Sequence, residues 1–335
     1  MKIKNMKKHP PYHLRLNKAV DRQLLIDILR VHSQAHEKFK YHSLGGPLLE
    51  DLRIIDHFFP GIELTSLESD VETHKRQMFH QFSSNLKLIN KELSQYLTND
   101  YEPDEGDVFW LDFTKLDLRM FQIFEATLKK LAQNSILKIT LHAEPPFDVS
   151  DIESKLDQGT VKNLKEVLQK EFYEKFGAVL PHPEPNIFAE SNNFQNVVQK
   201  MIHRAASRAL EQPGSEVVFL PLQSTYYCDQ VQMISITGTI CPKSGQSETK
   251  DRFASIGFAD FGWGEPRKID IPALSLKERL HLEKHLPPQR LADSGQLLLD
   301  CLGYSIDDSK KTSKDKLEQY ATYYREYPNF IKAMI

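Results

Sequence analysis

The chain has 335 residues, 40% hydrophobic and 27% charged, with a formal net charge of -3. That apolar content can bury a large core, and the balanced charge leaves no global electrostatic reason to expect nucleic acid as a partner. Three widely spaced cysteines, Cys228, Cys241 and Cys301, fit neither a disulfide framework nor a CxxC metal site and point to a reducing compartment.

The basic start (Lys2, Lys4, Lys7, Lys8) runs into His9-Pro10-Pro11 instead of an apolar secretory core, and no apolar run is long enough to span a membrane. The expectation is a cytoplasmic protein without membrane contact. Lys18 to Arg30 then places Val20, Leu24, Leu25, Ile28 and Leu29 at helical spacing with Asn17 as a cap. Residues 1–39 read as a lead-in to the first strand.

Lys40 to Asp70 is the stretch around which the rest is organised. A β-type run, Lys40 to Leu44, meets Gly45-Gly46. A helix follows with Pro47 at its first position, Leu48, Leu49, Leu52, Ile54, Ile55 and Phe58 on its apolar face, and Pro60-Gly61 as its stop. A second run, Ile62 to Leu67, delivers Glu68 and Asp70 to its carboxyl end. This is a βαβ unit, and in an open parallel sheet ligands bind at the carboxyl ends of the strands.

Val71 to Phe82 reads as a helix, Leu86 to Asn90 as a strand and Gln95 to Gly106 as an acidic loop. The apolar run Val108 to Phe113 is a buried strand closed by Asp112. A helix, Leu118 to Leu131, and a strand, Ile136 to Leu141, continue the alternation expected of a parallel sheet. Residues 143–214 read as a helical insertion, with helices Val161 to Phe176 and Phe194 to Leu210 about a proline-rich loop, Leu180 to Pro185. Glu216 to Leu222 and Val231 to Ile240 form an antiparallel pair joined by the loop Gln223 to Gln230. Residues 269–335 read as a helical extension, with a capping box at Ser275 to Glu278 and a last helix from Lys314 to Tyr327.

Five strands alternating with helices and a closing antiparallel pair, over Lys40 to Ile240, resemble the class I S-adenosylmethionine-dependent methyltransferase family. The fold implied is α/β, a Rossmann-like, mostly parallel sheet spanning residues 40–268 with the insertion inside it. ELTSLESD resembles the family's second-strand motif, whose acid holds the ribose of S-adenosylmethionine; the role carries over to Glu68. VFWLDFTK resembles the fourth-strand motif of small-molecule O-methyltransferases, whose acid binds a metal or sits beside the methyl donor; the place carries over to Asp112. The glycine stretch HSLGGPLLED departs from the pattern, with His42 and Ser43 where the family has an acid.

The residues have competing readings of their own. Gly45 and Gly46 either let backbone approach the cofactor or serve a strand-to-helix turn alone. Glu68 is either a ribose ligand, the preferred reading, or a solvated strand-end charge, while Asp70 reads as a helix cap. Asp112 carries a carboxylate to the edge of a buried strand, in a site or in a structural hydrogen bond. His142, with Glu144 to orient it, can serve as a general base, though an ordinary loop cluster is preferred. His32 and His36 share a helix face without a third ligand, so no metal is expected. Tyr226, Tyr227 and Asp229 read as packing and loop residues before a substrate role.

The expected function is therefore an O-directed methyltransferase with S-adenosylmethionine as cofactor, Asp112 and His142 at the reaction and Gly45, Gly46, Glu68 and Asp112 on the cofactor. The sequence names no acceptor. One alternative is a catalytically inactive methyltransferase-like binding or regulatory subunit of a multi-protein system, for instance in antiviral defence. Another is a nucleotide-sensing domain. The aromatic tail, Tyr320, Tyr323, Tyr324, Tyr327 and Phe330, is expected to dock on the core or on a protein partner.

Overall fold

A computed structural model describes residues 15–147, 164–182, 186–187, 193–288 and 290–328. The chain falls into two units. The larger comprises Leu25–Tyr226 and Val231–Arg267, the smaller Met1–Leu24, Tyr227–Gln230 and Lys268–Ile335.

In the larger unit, β1 (Lys40–Ser43), β2 (Glu63–Leu67), β3 (Leu86–Ile89), β4 (Val108–Asp112) and β5 (Ile136–His142) alternate with α2 (Glu50–Phe58), α3 (Val71–Phe79), α4 (Leu93–Asn99) and α5 (Leu118–Lys130). All described pairings among the five strands are parallel. After the helices α6 (Leu164–Phe176) and α7 (Phe194–Leu210) come β6 (Val217–Cys228) and β7 (Gln232–Pro242), and β7 pairs with β5 in the antiparallel sense. Within this unit the sheet order is β3-β2-β1-β4-β5-β7-β6. This is the mostly parallel α/β architecture with a closing antiparallel strand that the sequence led us to expect.

Both faces of the sheet are covered, as parallel strands require. On one face Phe109, Leu111, Leu137, Ile139 and Leu141 pack under α4, α5 and α7. On the other Tyr41, Leu64, Val108, Trp110 and Ile136 pack against Leu52 and Ile55 of α2 and against Leu25, Ile28 and Leu29 of α1 (Leu16–His32). Strand alternation assigns Ser43, Ser66, Trp110 and Thr140 to this second face. There Trp110 donates its indole N–H to Thr140 at 3.1 Å, and Lys138 lies fully buried with its ammonium 5.1 Å from the Trp110 ring centre.

The smaller unit contains α9 (Leu276–Leu282), α10 (Ser294–Leu302) and α11 (Lys310–Tyr323). Ser275 and Glu278 form the expected capping box. Helices α10 and α11 approach closely at Gly295, where a Cβ would run into the Lys314 carbonyl. The tail tyrosines are used inside this unit: Tyr323 donates to the Lys268 carbonyl at 3.2 Å, Tyr327 to the Pro272 carbonyl at 3.0 Å, and Arg279 lies over the Tyr327 ring. Phe330 lies outside the described residues.

Several expectations are corrected. Asn17 is not the cap of α1 but sits inside it, donating from Nδ2 to the Cys228 carbonyl and accepting from the Ile271 N–H; Asp229 caps the helix by accepting from the Asn17 and Lys18 N–H groups. Pro47 lies in a turn and α2 begins three residues later, at Glu50. Gln223 to Cys228 is strand, not loop, because its polar side chains are buried in the sheet. Helices α4, α8 (Gln246–Phe253) and α10 were not anticipated, and α11 begins four residues early, at a Ser309 cap.

His42 in β1 is buried between Phe109, stacked at 4.3 Å, and the Tyr96 hydroxyl, 3.2 Å from Nδ1. Burial holds its pKa down to about 3, against 6.5 in an exposed histidine. The unfolded chain therefore takes up this proton more readily, so stability is complete above pH 6.5 and falls as the pH drops toward 3. Thermal melts from pH 7 to pH 4 should show a smaller loss of Tm in His42→Phe than in the parent chain. Equal slopes would remove His42 as a source of acid sensitivity.

Candidate functional site

The carboxyl edge of β2, β1 and β4 is where the sequence placed a ligand. In the parallel register Ser43 pairs with Ser66 of β2 and with Trp110 of β4. Continued two residues, it sets Gly45 level with Glu68 and Asp112. Neighbouring strands lie about 4.8 Å apart, so the Glu68 and Asp112 backbones are about 10 Å from each other with the glycine turn between them. Asp112 in turn pairs with Thr140 of β5. His142, two residues on, stands about 7 Å farther out along its strand. Alternation gives Asp112 and His142 the same face as Trp110 and Thr140, while Glu68 lies just past the end of β2. The register thus ends β1, β2 and β4 at one edge, with His142 two residues beyond the Asp112–Thr140 pair.

Gly45 has a packing reason to lack a side chain. A Cβ there would collide with the Ser66 hydroxyl, and Gln77 of α3 is packed alongside at 3.2 Å from that position. Gln77, fully buried, donates from Nε2 to the Gly45 carbonyl at 2.5 Å and to the Gly46 carbonyl at 3.4 Å, and accepts from Ser66 Oγ at 3.3 Å. Gly45 is thus buried in a close approach to Ser66 and Gln77, and Gly46 is half-buried. The turn closes through the Leu49 N–H to the Gly46 carbonyl at 3.1 Å, with Leu49 held in the left-handed region at φ 57°. Non-glycine residues occupy that region at a cost of about 1–2 kcal/mol.

Glu68 is half-buried just past the end of β2. Its Oε1 accepts the Asp70 N–H at 2.8 Å, while the Asn90 amide donates to its backbone carbonyl at 2.7 Å from the end of β3. Burial raises the carboxyl pKa above its ordinary value, against the lowering effect of the Asp70 N–H. One carboxylate oxygen thus has a described backbone donor, and the group keeps acceptor capacity for further hydroxyls. Asp70 caps α3 as expected, accepting from the Thr73 N–H and hydroxyl, each at 2.8 Å.

Asp112 is half-buried at the last position of β4. His142 is half-buried, and burial lowers its pKa below 6.5 although the Glu144 charge pulls the other way. Glu144 does not orient the imidazole through a described bond: its Oε1 accepts from the Gln232 N–H at 2.9 Å and ties down the start of β7. His32 is not at the surface of its helix. It is buried, with Nε2 2.7 Å from the Gly106 carbonyl and its ring stacked on His36, and burial brings its pKa down to about 4. Among the described residues there is no group of three side chains placed to hold a metal ion. No described helix is long and apolar enough to cross a membrane.

Ser66 and Gln77 escaped the sequence reading. A glutamine seven residues after a helix cap carries no motif, and only the fold brings it to the glycine turn.

No curated protein sequence matches the chain. Among solved structures it is similar to the plantazolicin methyltransferase BpumL in complex with SAH, at 13% identity over 66% of this chain and 85% of that one, TM-score 0.38. It is also similar to a probable spermidine synthase from Corynebacterium glutamicum, at 13% identity over 77% and 82%, TM-score 0.40. A third likeness is to a fibrillarin/Nop5p complex, at 11% identity over 66% and 82%, TM-score 0.35. The family described as "Putative O-methyltransferase" matches residues 10–335, nearly the whole chain, and the chain belongs to that family.

Proposed function

We propose that the chain is an S-adenosylmethionine-dependent methyltransferase that methylates an oxygen of its acceptor. Family membership supports the reaction class. What supports the site is the parallel register of β1 with β2 and β4, which ends the three strands at one edge, where such sheets take their ligands, with Glu68 just past β2 and Asp112 closing β4. The donor set fits an adenosyl ligand. Glu68 offers a desolvated carboxylate to the two ribose hydroxyls, and the Gly45-Gly46 turn offers backbone beside it.

When bound, the cofactor supplies an electrophilic methyl group. The chain's own part is to bind and align: Glu68 fixes the ribose, Asp112 borders the adjoining strand end, and His142 stands outermost, toward the acceptor. With its pKa lowered by burial, the His142 imidazole is neutral at pH 7 and can take the proton an acceptor hydroxyl loses. Alignment supplies most of the acceleration in such a displacement.

Isothermal titration with S-adenosylmethionine should give saturable heat, and Glu68→Ala should weaken binding about tenfold or more, the worth of hydrogen bonds to a charged group. Because burial raises the Glu68 pKa, affinity should fall in the parent chain as the pH drops through that raised pKa and stay flat in Glu68→Gln. Absence of heat, with no dependence on Glu68, would favour the inactive binding subunit. Heat with adenine nucleotides but not with S-adenosylmethionine would favour a nucleotide sensor.

His142→Ala should reduce the rate of transfer from labelled S-adenosylmethionine about 10²- to 10⁴-fold with cofactor affinity unchanged. In the parent chain, activity should decline as the pH falls through the depressed His142 pKa. An unaltered rate in the variant would leave the acceptor to ionise without this base.

A further inference from the structure

We infer that Gln77 is a positioning residue for the cofactor, and that α3 works as a strut registering the glycine turn against the ribose-binding acid. The inference rests on the methyltransferase reading and goes beyond it, because Gln77 touches neither end of the proposed ligand.

The geometry starts at the peptide planes. A trans peptide points its C=O and N–H in opposite directions. Gln77 draws the Gly45 carbonyl toward α3 at 2.5 Å, so the N–H of the same plane, that of Gly46, is turned away from α3. The next peptide has no N–H because residue 47 is proline. Gln77 therefore sets the orientation of the one donor that the Gly45-Gly46-Pro47 segment can offer through these two planes.

The brace is itself held. Ser66 Oγ, on the strand beneath, donates to Gln77 Oε1 at 3.3 Å and fills the space that a Cβ on Gly45 would need. The turn it steadies is strained, with buried Leu49 at φ 57°, and such conformations persist only where surrounding contacts over-determine them. Gln77 and Ser66 are those contacts on one side of the turn, and the Leu49 N–H bond to Gly46 is another.

Helix α3 links this brace to Glu68. Its first turn provides the Asp70 N–H that Glu68 Oε1 accepts. Gln77 lies seven residues later, about 10 Å along the axis at 1.5 Å per residue. One short helix thus fixes the acid with its N-terminus and the glycine turn with a side chain two turns on. The span between the two is set by backbone hydrogen bonds and not by loop packing, which is how a binding constellation is kept within tolerance.

The test uses the full chain with Gln77→Leu, Gln77→Glu and Ser66→Ala, titrated with S-adenosylhomocysteine and followed by amide hydrogen exchange at Gly46, Leu48 and Leu49. Expected is an affinity loss of about tenfold in both Gln77 variants, the glutamate included because it keeps size but loses the donor. Ser66→Ala, a mild buried change, should lose less, and Ser66→Ala with Gln77→Leu should fall short of additivity. Exchange at the turn should quicken in every variant. A lowered Tm with unchanged affinity and unchanged turn exchange would make Gln77 an ordinary core residue and overturn the inference. Should the Gln77 variants fail to fold, Ser66→Ala decides between the two outcomes by the same affinity and exchange readouts. If the parent chain itself does not bind S-adenosylhomocysteine, the cofactor reading and this inference fall together; if it binds and the variants bind equally well, only this inference falls.

Discussion

The parallel pairing of β1 with β2 and β4 is the constraint on which everything else rests. Parallel neighbours must end at the same edge, so whatever follows each strand is delivered to one line. Here that line holds a glycine turn, a half-buried glutamate and a half-buried aspartate. No loop has to fold back to assemble them. The cost is that both faces of the strands must be buried, and the two apolar clusters on either side of the sheet meet it. Antiparallel β7, laid beside β5, then stops the parallel array without moving its edge.

Polarity is distributed unevenly between the two faces. The face under α4, α5 and α7 holds His42 and Thr65 among aromatic and aliphatic side chains, whereas the face of Trp110 carries Ser43, Ser66, Lys138 and Thr140. Buried polar groups cost free energy unless they are hydrogen-bonded, and Ser66 with Gln77 and Trp110 with Thr140 are two such pairs. Both lie just inside the proposed ligand edge. The proposed site would therefore be supported from beneath by hydrogen bonds, which hold geometry more narrowly than apolar contacts do.

Much of this was legible in the sequence, for identifiable reasons. The βαβ unit could be read because Pro60-Gly61 stops α2 and because apolar spacing changes period on either side. The run VFWLD could be read as a buried strand because it is apolar throughout except for its closing acid. Glu68 and Asp112 could be placed at the edge because each ends such a run. What was lost was lost to tertiary context. Polar Gln223, Ser224 and Thr225 looked like loop and are buried strand. Asn17 looked like a cap and is a cross-link, because the true cap, Asp229, is 212 residues away. Gln77 could not be found at all, since its meaning depends on a turn 32 residues earlier in the chain.

Leu49 shows what such a turn asks of a sequence. Its backbone conformation is one that glycine adopts freely, while its side chain is 1% exposed in the cluster beneath α2. Glycine would relax the bend and empty the core; any larger residue would keep the core and the strain. The position is therefore pinned from two directions, and genetic drift there meets a penalty whichever way it goes.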